Sequence, residues 1–219
     1  LKLCGEVEEG NNAEYVELLD YIKSNDLKDS IVFDYVKNRI DILNFIDYHI
    51  MELYFANYDW PCNNYKIWKT NDPDSKWRFL IYDLDASFGH DPTKSDYTSL
   101  SMEHATSLLN EWPYCTCSNF LFRSMLENNQ FEKEFLTKFK YHLENTFSTE
   151  LVINRIDEYQ ALFELEMINH INRWQYPISI DAWKEEINKL KTFATNRPCV
   201  VKENIINFFD LSDFDFSCD

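Results

Sequence analysis

Residues 77–89, WRFLIYDLDASFG, lead a run of large apolar side chains straight into two aspartates, Asp83 and Asp85, with Phe88-Gly89 just beyond. In an extended strand, residues i and i+2 share a face. The spacing therefore predicts that the Asp83 and Asp85 carboxylates converge while Leu84 packs the other way. Carboxylates at a strand end suit Mg²⁺ or Mn²⁺, hard cations that take one or two such groups and fill their other positions with phosphate oxygens and water. The competing expectation is local, because aspartates in turns often accept hydrogen bonds from nearby backbone amides. A second cluster lies upstream: Asn57-Tyr-Asp59-Trp-Pro-Cys-Asn63-Asn64. Taken alone, it reads as the end of a helix followed by turn-forming residues.

These groups need elements to hold them. Residues 11–27 place Val16, Leu19 and Ile22 at helical spacing, and a short helix is expected over 30–38. Ile42, Phe45, Ile46, Ile50 and Leu53 recur at three and four, which predicts an amphipathic helix over 41–57. Pro61 cannot continue it. Two strand-like runs follow, 65–69 and 77–82, joined by a turn-rich segment over 70–76. Residues 90–104 read as a loop, and His90 beside Asp91 reads as a solvated loop histidine. Beyond them the pattern predicts helices over 105–111, 117–128, 131–145, 149–170, 179–195 and 198–209. Arg197-Pro198 is expected to open the last of these, and Arg173 and Trp174 to pack the C-terminal helices together. Trp60 and Trp112 fall in loops and are the rings expected at the surface. The tail, 211–219, alternates Asp with Phe. The expected fold is mainly α, one domain over 1–219, with a small β-hairpin carrying the metal-binding Asp83.

Composition narrows the function. Of the 219 residues, 45% are hydrophobic and 16% aromatic, enough for a sizeable core. With 21 basic against 38 acidic residues the formal net charge is −17, which argues against nucleic acid or an anionic membrane as partner. A divalent cation or a basic protein suits that surface better. Gly5, Gly10 and Gly89 are the only glycines, so no glycine-rich phosphate cradle exists in the chain. Six cysteines occur, at 4, 62, 115, 117, 199 and 218, without a C-x-x-C pair. Cys115 and Cys117 are too close in sequence to bridge each other, and longer-range disulfides or free thiols both remain open. No window approaches a membrane span, and no signal peptide is visible.

A protein-kinase catalytic loop has an Asp and, after four residues, an Asn; a hairpin follows, then the metal-binding Asp of Asp-Phe-Gly. Here Asp59 and Asn64 precede a hairpin and Asp83, with Phe88-Gly89 shortly after. The His-Arg before the Asp is missing, and other residues separate Asp83 from Phe88, which excludes an ordinary protein kinase. The chain instead resembles the CotH kinases, atypical kinases named for a spore-coat protein. The resemblance rests on residues 41–48 (DILNFIDY), 57–65 (NYDWPCNNY), 77–89, 170–193 (HINRWQYPISIDAWKEEINKLKTF) and Asn196-Arg197-Pro198.

That resemblance implies a kinase-like C-terminal lobe that transfers the γ-phosphate of ATP to Ser or Thr of a protein. Asp59 would be the catalytic aspartate that orients the substrate hydroxyl. Asn64 and Asp83 would hold Mg²⁺ or Mn²⁺, with Asp85 a further ligand and Asn63 an alternative to Asn64. It also implies an extracytoplasmic setting, at a bacterial cell surface or secreted. Family members carry an N-terminal lobe whose lysine pairs with the ATP phosphates. Almost nothing of that lobe is visible here, and Lys2 sits too near the start to serve. The expectation is therefore a C-lobe portion that phosphorylates nothing at a useful rate by itself.

Two other readings compete. An apolar strand ending in Asp83-Leu-Asp85 is similar to the opening motif of haloacid-dehalogenase-type phosphatases, where the first Asp is a nucleophile; the usual Gly-Thr is replaced here by Ala86-Ser87. The other is a non-catalytic cell-surface module on a kinase-like scaffold, binding protein or polysaccharide.

Overall fold

The computed structural model describes residues 1–91, 93–99 and 102–212. After a short 3₁₀ turn at Leu3–Gly5 come helices α1 (Ala13–Ser24), α2 (Ser30–Lys37) and α3 (Ile42–Phe55). Two aspartates start the latter pair. Asp29 accepts from the amide of Ile31 at 2.8 Å and Asp41 from that of Asn44 at 3.2 Å, each satisfying an amide that has no partner inside its helix. Helix α3 is the axis of the molecule: Phe45, Ile46, Tyr48, His49, Ile50, Glu52, Leu53 and Tyr54 are all buried.

The expected hairpin forms, from β1 (Lys66–Trp68) and β2 (Arg78–Leu80), antiparallel with Ile67 opposite Phe79. Asn44 of α3 fixes its register by pairing with the Phe79 backbone, accepting from the amide at 2.6 Å and donating to the carbonyl at 3.2 Å. Phe79 then meets Phe45 edge to face, ring centres 4.7 Å apart. This is the one sheet among the described residues, and it has two strands. A dehalogenase-type phosphatase needs several parallel strands alternating with helices, so that reading falls.

The rest is helical: α4 (Met102–Ala105), α5 (Thr116–Met125), α6 (Asn129–Tyr141), a π turn at His142–Thr146, then the long pair α7 (Thr149–Trp174) and α8 (Ile180–Phe209). Helices α7 and α8 run antiparallel, Lys191 pairing with Asp157 at 2.5 Å and Lys184 with Glu164 at 2.6 Å. Among the described residues, no helix is long and apolar enough to cross a membrane. The end of the acidic-aromatic tail, 213–219, lies outside the described residues.

Several sequence expectations are corrected. The helix expected over 105–111 is the four-residue α4, ending at Ala105. Trp60 is 1% exposed, wedged against Tyr48 and His49, whereas Trp112 is 50% exposed as expected. Trp174 does not pack the C-terminal helices; it is exposed at the end of α7 with the Arg173 guanidinium over its ring.

The helices expected over 179–195 and 198–209 are one, with Pro198 inside it. Proline has no N–H to give the carbonyl four residues back, which here is that of Ala194. The Thr149 hydroxyl at the start of α7 supplies the missing donor, reaching that carbonyl at 3.3 Å. Arg197 thus lies in the middle of a helix and not at its start. Thr149→Ala is expected to cost about 1 kcal/mol in chemical denaturation. The cost should shrink in a Pro198→Ala background, where residue 198 can donate for itself; equal costs in the two backgrounds would remove this account of the uninterrupted helix.

Candidate functional site

The site grows from the C-terminal end of α3. Its last turn leaves carbonyls without helical partners, and Arg197 of α8 covers them. Its guanidinium donates from Nε to the Tyr54 carbonyl at 2.9 Å and from an Nη to that of Leu53. The other Nη reaches the carbonyls of Tyr97 at 2.7 Å and Ser99 at 2.6 Å. Arg197 is fully buried, and burial lowers its pKa to about 9, so it stays cationic at neutral pH against the negative end of the α3 dipole.

Two loops lie beyond that clamp. Ala56 takes a left-handed conformation, φ 53, and turns the chain into residues 57–64. The second loop, 81–89, follows β2; two bonds join it to the first and a third ties it to the end of α3. The Asn64 Nδ2 donates to the Asp83 carbonyl at 2.9 Å, the Tyr58 amide to Ala86 at 3.0 Å, and the Phe88 amide to Phe55 at 2.8 Å. The Asn63 amide, for its part, closes the first loop on the Asp59 carbonyl at 2.7 Å. Asp59, Asn64 and Asp83, expected to share a site, therefore sit on loops that are sewn together, with Asp85 two residues further on. Among the described residues, no hydrogen bond or ion pair occupies the carboxylates of Asp59, Asp83 or Asp85.

The local geometry differs from the strand picture. β2 ends at Leu80, and Asp83 has φ 55, so period-two alternation does not govern residues 83–85. Asn64, at φ 56, and Phe88, at φ 57, are left-handed too. Together with Ala56, that makes four non-glycine residues in a sparsely populated region within two apposed loops, each at a cost of order 1 kcal/mol. Gly89 continues the turn at φ 83; a side chain there would meet only ordinary contact with Phe193, at 3.6 Å, so the requirement is conformational rather than one of space.

Sequence reading missed what lies beneath these loops. Glu52, fully buried in α3, accepts from the Asn57 Nδ2 at 2.9 Å. Burial raises its pKa to about 8, only partly offset by the bond from Asn57. Beside it His49, its Nδ1 donating to the Phe45 carbonyl at 2.8 Å, is pulled down to about 3 by burial. The Trp60 carbonyl accepts from His104 Nε2 at 2.9 Å, and burial lowers the pKa of that histidine. Glu52 sits on the apolar stripe of α3, five positions before Asn57. A carboxyl among Ile50, Leu53 and Tyr54 was the signal that could have found it. His90, as expected, is exposed.

Hard oxygen donors left uncommitted on two joined loops fit Mg²⁺ or Mn²⁺ chemically. A mainly α body, a two-stranded hairpin, and an acidic loop after it facing an Asp-bearing loop make a kinase-like lobe. The family model described as CotH kinase protein matches residues 3–201, and the chain belongs to the CotH kinase family. No curated protein and no solved structure matches the chain.

Two outcomes follow from the buried charges. Replacing Arg197 by Met removes its bonds to four carbonyls, leaving that of Leu53 only the Ala56 amide at 3.3 Å, and should lower stability by at least about 3 kcal/mol in urea titration. Glu52 keeps its proton in the folded state up to about pH 8 but loses it near 4.3 when unfolded. The folded protein therefore binds the extra proton between those values, and this carboxyl lowers stability as pH rises through that window. Glu52→Gln should match the wild type near pH 4.5 and exceed it increasingly toward pH 8. A constant difference across that range would contradict the neutral, buried carboxyl.

Proposed function

We propose that this domain supplies the metal-holding and hydroxyl-orienting half of a site that transfers the γ-phosphate of ATP to a Ser or Thr hydroxyl of a protein, with Mg²⁺ or Mn²⁺ held by Asn64, Asp83 and Asp85. The observation that supports this best is the bond from Asn64 to the Asp83 backbone. It keeps the Asn64 amide beside the acidic loop while the carboxylates of Asp59 and Asp83 stay uncommitted. Membership of the CotH kinase family supplies the reaction class.

The cation, when bound, offsets the charge that develops between the β- and γ-phosphates. The chain's own part is positioning. Asp59 accepts the hydrogen bond of the acceptor hydroxyl and aims its oxygen at the γ-phosphorus. As the new P–O bond forms, the bond to the β–γ bridging oxygen breaks and ADP departs. The hydroxyl proton passes to Asp59. The left-handed turns at Asn64 and Asp83 hold these groups before substrate arrives, so little reorganisation accompanies reaction. An extracytoplasmic setting belongs to the same proposal, and the disulfide between Cys4 and Cys117 favours it.

A non-catalytic binding reading draws on one feature. Trp112 is half exposed and stands edge-on to Tyr58, ring centres 5.0 Å apart, next to Asp59. We assign this pair to holding the acceptor segment. Asp83→Ala is expected to abolish the rise in Tm caused by Mn²⁺, together with any transfer of labelled phosphate from ATP. Asp59→Asn should keep the Mn²⁺ shift while losing transfer by at least about 100-fold. An undiminished Mn²⁺ shift in Asp83→Ala would overturn the metal assignment. Unchanged transfer in Asp59→Asn would overturn the catalytic one.

A further inference from the structure

Helix α7 runs for 26 residues without one buried side chain. Half-buried Ile156, Gln160, Glu164 and Met167 mark the face it turns to α8, and the Glu164–Lys184 pair confirms that direction. The opposite face carries Leu151, Arg155, Glu158, Leu162, Leu165 and Asn169, every one exposed. Leu162 is 65% exposed and Leu165 84%. Spacings of four and three alternate along this row, the repeat by which one helix seats another in a coiled coil. Leucines exposed in such a row form an interaction surface, unlike apolar residues scattered singly.

Charge indicates what covers it. The chain carries a net −17, so two copies repel each other over most of their surfaces. The open face of α7 is different. Its charged residues, borders included, are Arg155, Glu158, Glu166 and Arg173, two of each sign. Asp157 and Glu164 lie off that face, each neutralised by a lysine of α8, at 2.5 Å and 2.6 Å. A strongly basic partner gains little from a stripe without net charge. A second copy of the acidic chain can approach there without repulsion, and a two-fold axis presents the same stripe from both sides.

We propose that α7 pairs antiparallel with α7 of a second copy about a two-fold axis, Leu162 of each lying against Leu165 of the other. The same alignment sets Glu158 opposite Asn169 and Arg155 opposite Asn172, so no like charges meet along the seam. Sliding one heptad either way places the two leucines opposite Glu158 and Arg155, or opposite asparagines. Parallel pairing would stack Glu158 on Glu158 and Arg155 on Arg155. Beside the seam, Ile168 faces Ala161, which leaves room for its branched side chain. Trp174, 61% exposed at the end of α7, is carried to the first turn of the partner's helix, near Leu151. The assembly is a four-helix bundle with an α8 on each outer side. The inference goes beyond the phosphoryl-transfer reading and is independent of it, since the face contains none of the residues assigned to that chemistry.

The test is sedimentation equilibrium on the protein over a range of concentrations. The mass is expected to rise from 26.3 kDa toward twice that value, with a dissociation constant in the micromolar range. Leu162→Glu/Leu165→Glu should weaken association by at least about 100-fold. Because both leucines are exposed in one copy, the dilute variant should melt within about 2 °C of the wild type. Asn169→Lys reports the alignment: it sets a lysine opposite Glu158 twice per dimer and should tighten association roughly fivefold. In a parallel pair the same change opposes two lysines and weakens it. A protein that remains at 26.3 kDa at about 100 µM would overturn the proposal. So would a dimer indifferent to Leu162→Glu/Leu165→Glu, which uses some other surface, or one that Asn169→Lys loosens.

Discussion

Arg197 is the constraint on which the rest of this lobe depends. A helix that ends inside a protein leaves its last carbonyls without donors, and each costs free energy unless something supplies one. In α3 those carbonyls sit where the chain must turn into the Asp59 loop, so water cannot serve them. A single guanidinium, carried by α8, serves Leu53 and Tyr54 and reaches across to Tyr97 and Ser99 as well. Lysine, with a compact point charge, lacks the fork needed to span both segments. The C-terminal helix is thereby coupled to the loop that carries the candidate chemistry, more than 130 residues away in sequence.

The same logic explains Pro198. A proline next to the arginine breaks the helical bond at Ala194, yet α8 runs on because Thr149 replaces the donor. The helix has to be continuous there. Arg197 must project from it toward α3, while Phe193, one turn earlier, packs on Phe88 with ring centres 4.4 Å apart. One turn of α8 therefore supports both loops: the first through the end of α3, the second through the aromatic contact beside Gly89.

Beneath the loops, polarity is used sparingly. Glu52 and His49 are both buried and both neutral at pH 7, because desolvation favours the uncharged form of each. Glu52 holds Asn57, and Asn57 opens the Asp59 segment. Arg197 apart, charge is left to the exposed side, where Asp83 and Asp85 face solvent. Among the described residues neither carboxylate has a hydrogen bond or ion pair, and the left-handed turns at Asn64 and Asp83 fix where their backbone runs.

The sequence alone determined the things that periodicity and residue chemistry encode locally. The amphipathic stripe of α3 and the hairpin with its turn are legible because helix and strand repeats differ. The order Asp59, Asn64, hairpin, Asp83 is legible because each residue type has few roles. Where one local rule competed with a distant partner, tertiary structure decided. Pro198 should end a helix, but Thr149 rescues it. Trp60 should lie exposed in a loop, but α3 offers it a cavity between Tyr48 and His49. Asp83 and Asp85 should share one face of a strand, but the bonds from Asn64 and Tyr58 to the acidic loop impose a left-handed turn. The burial of Arg197 and Glu52 was hidden for the same reason: a charged side chain reveals its worth only through partners that folding brings to it.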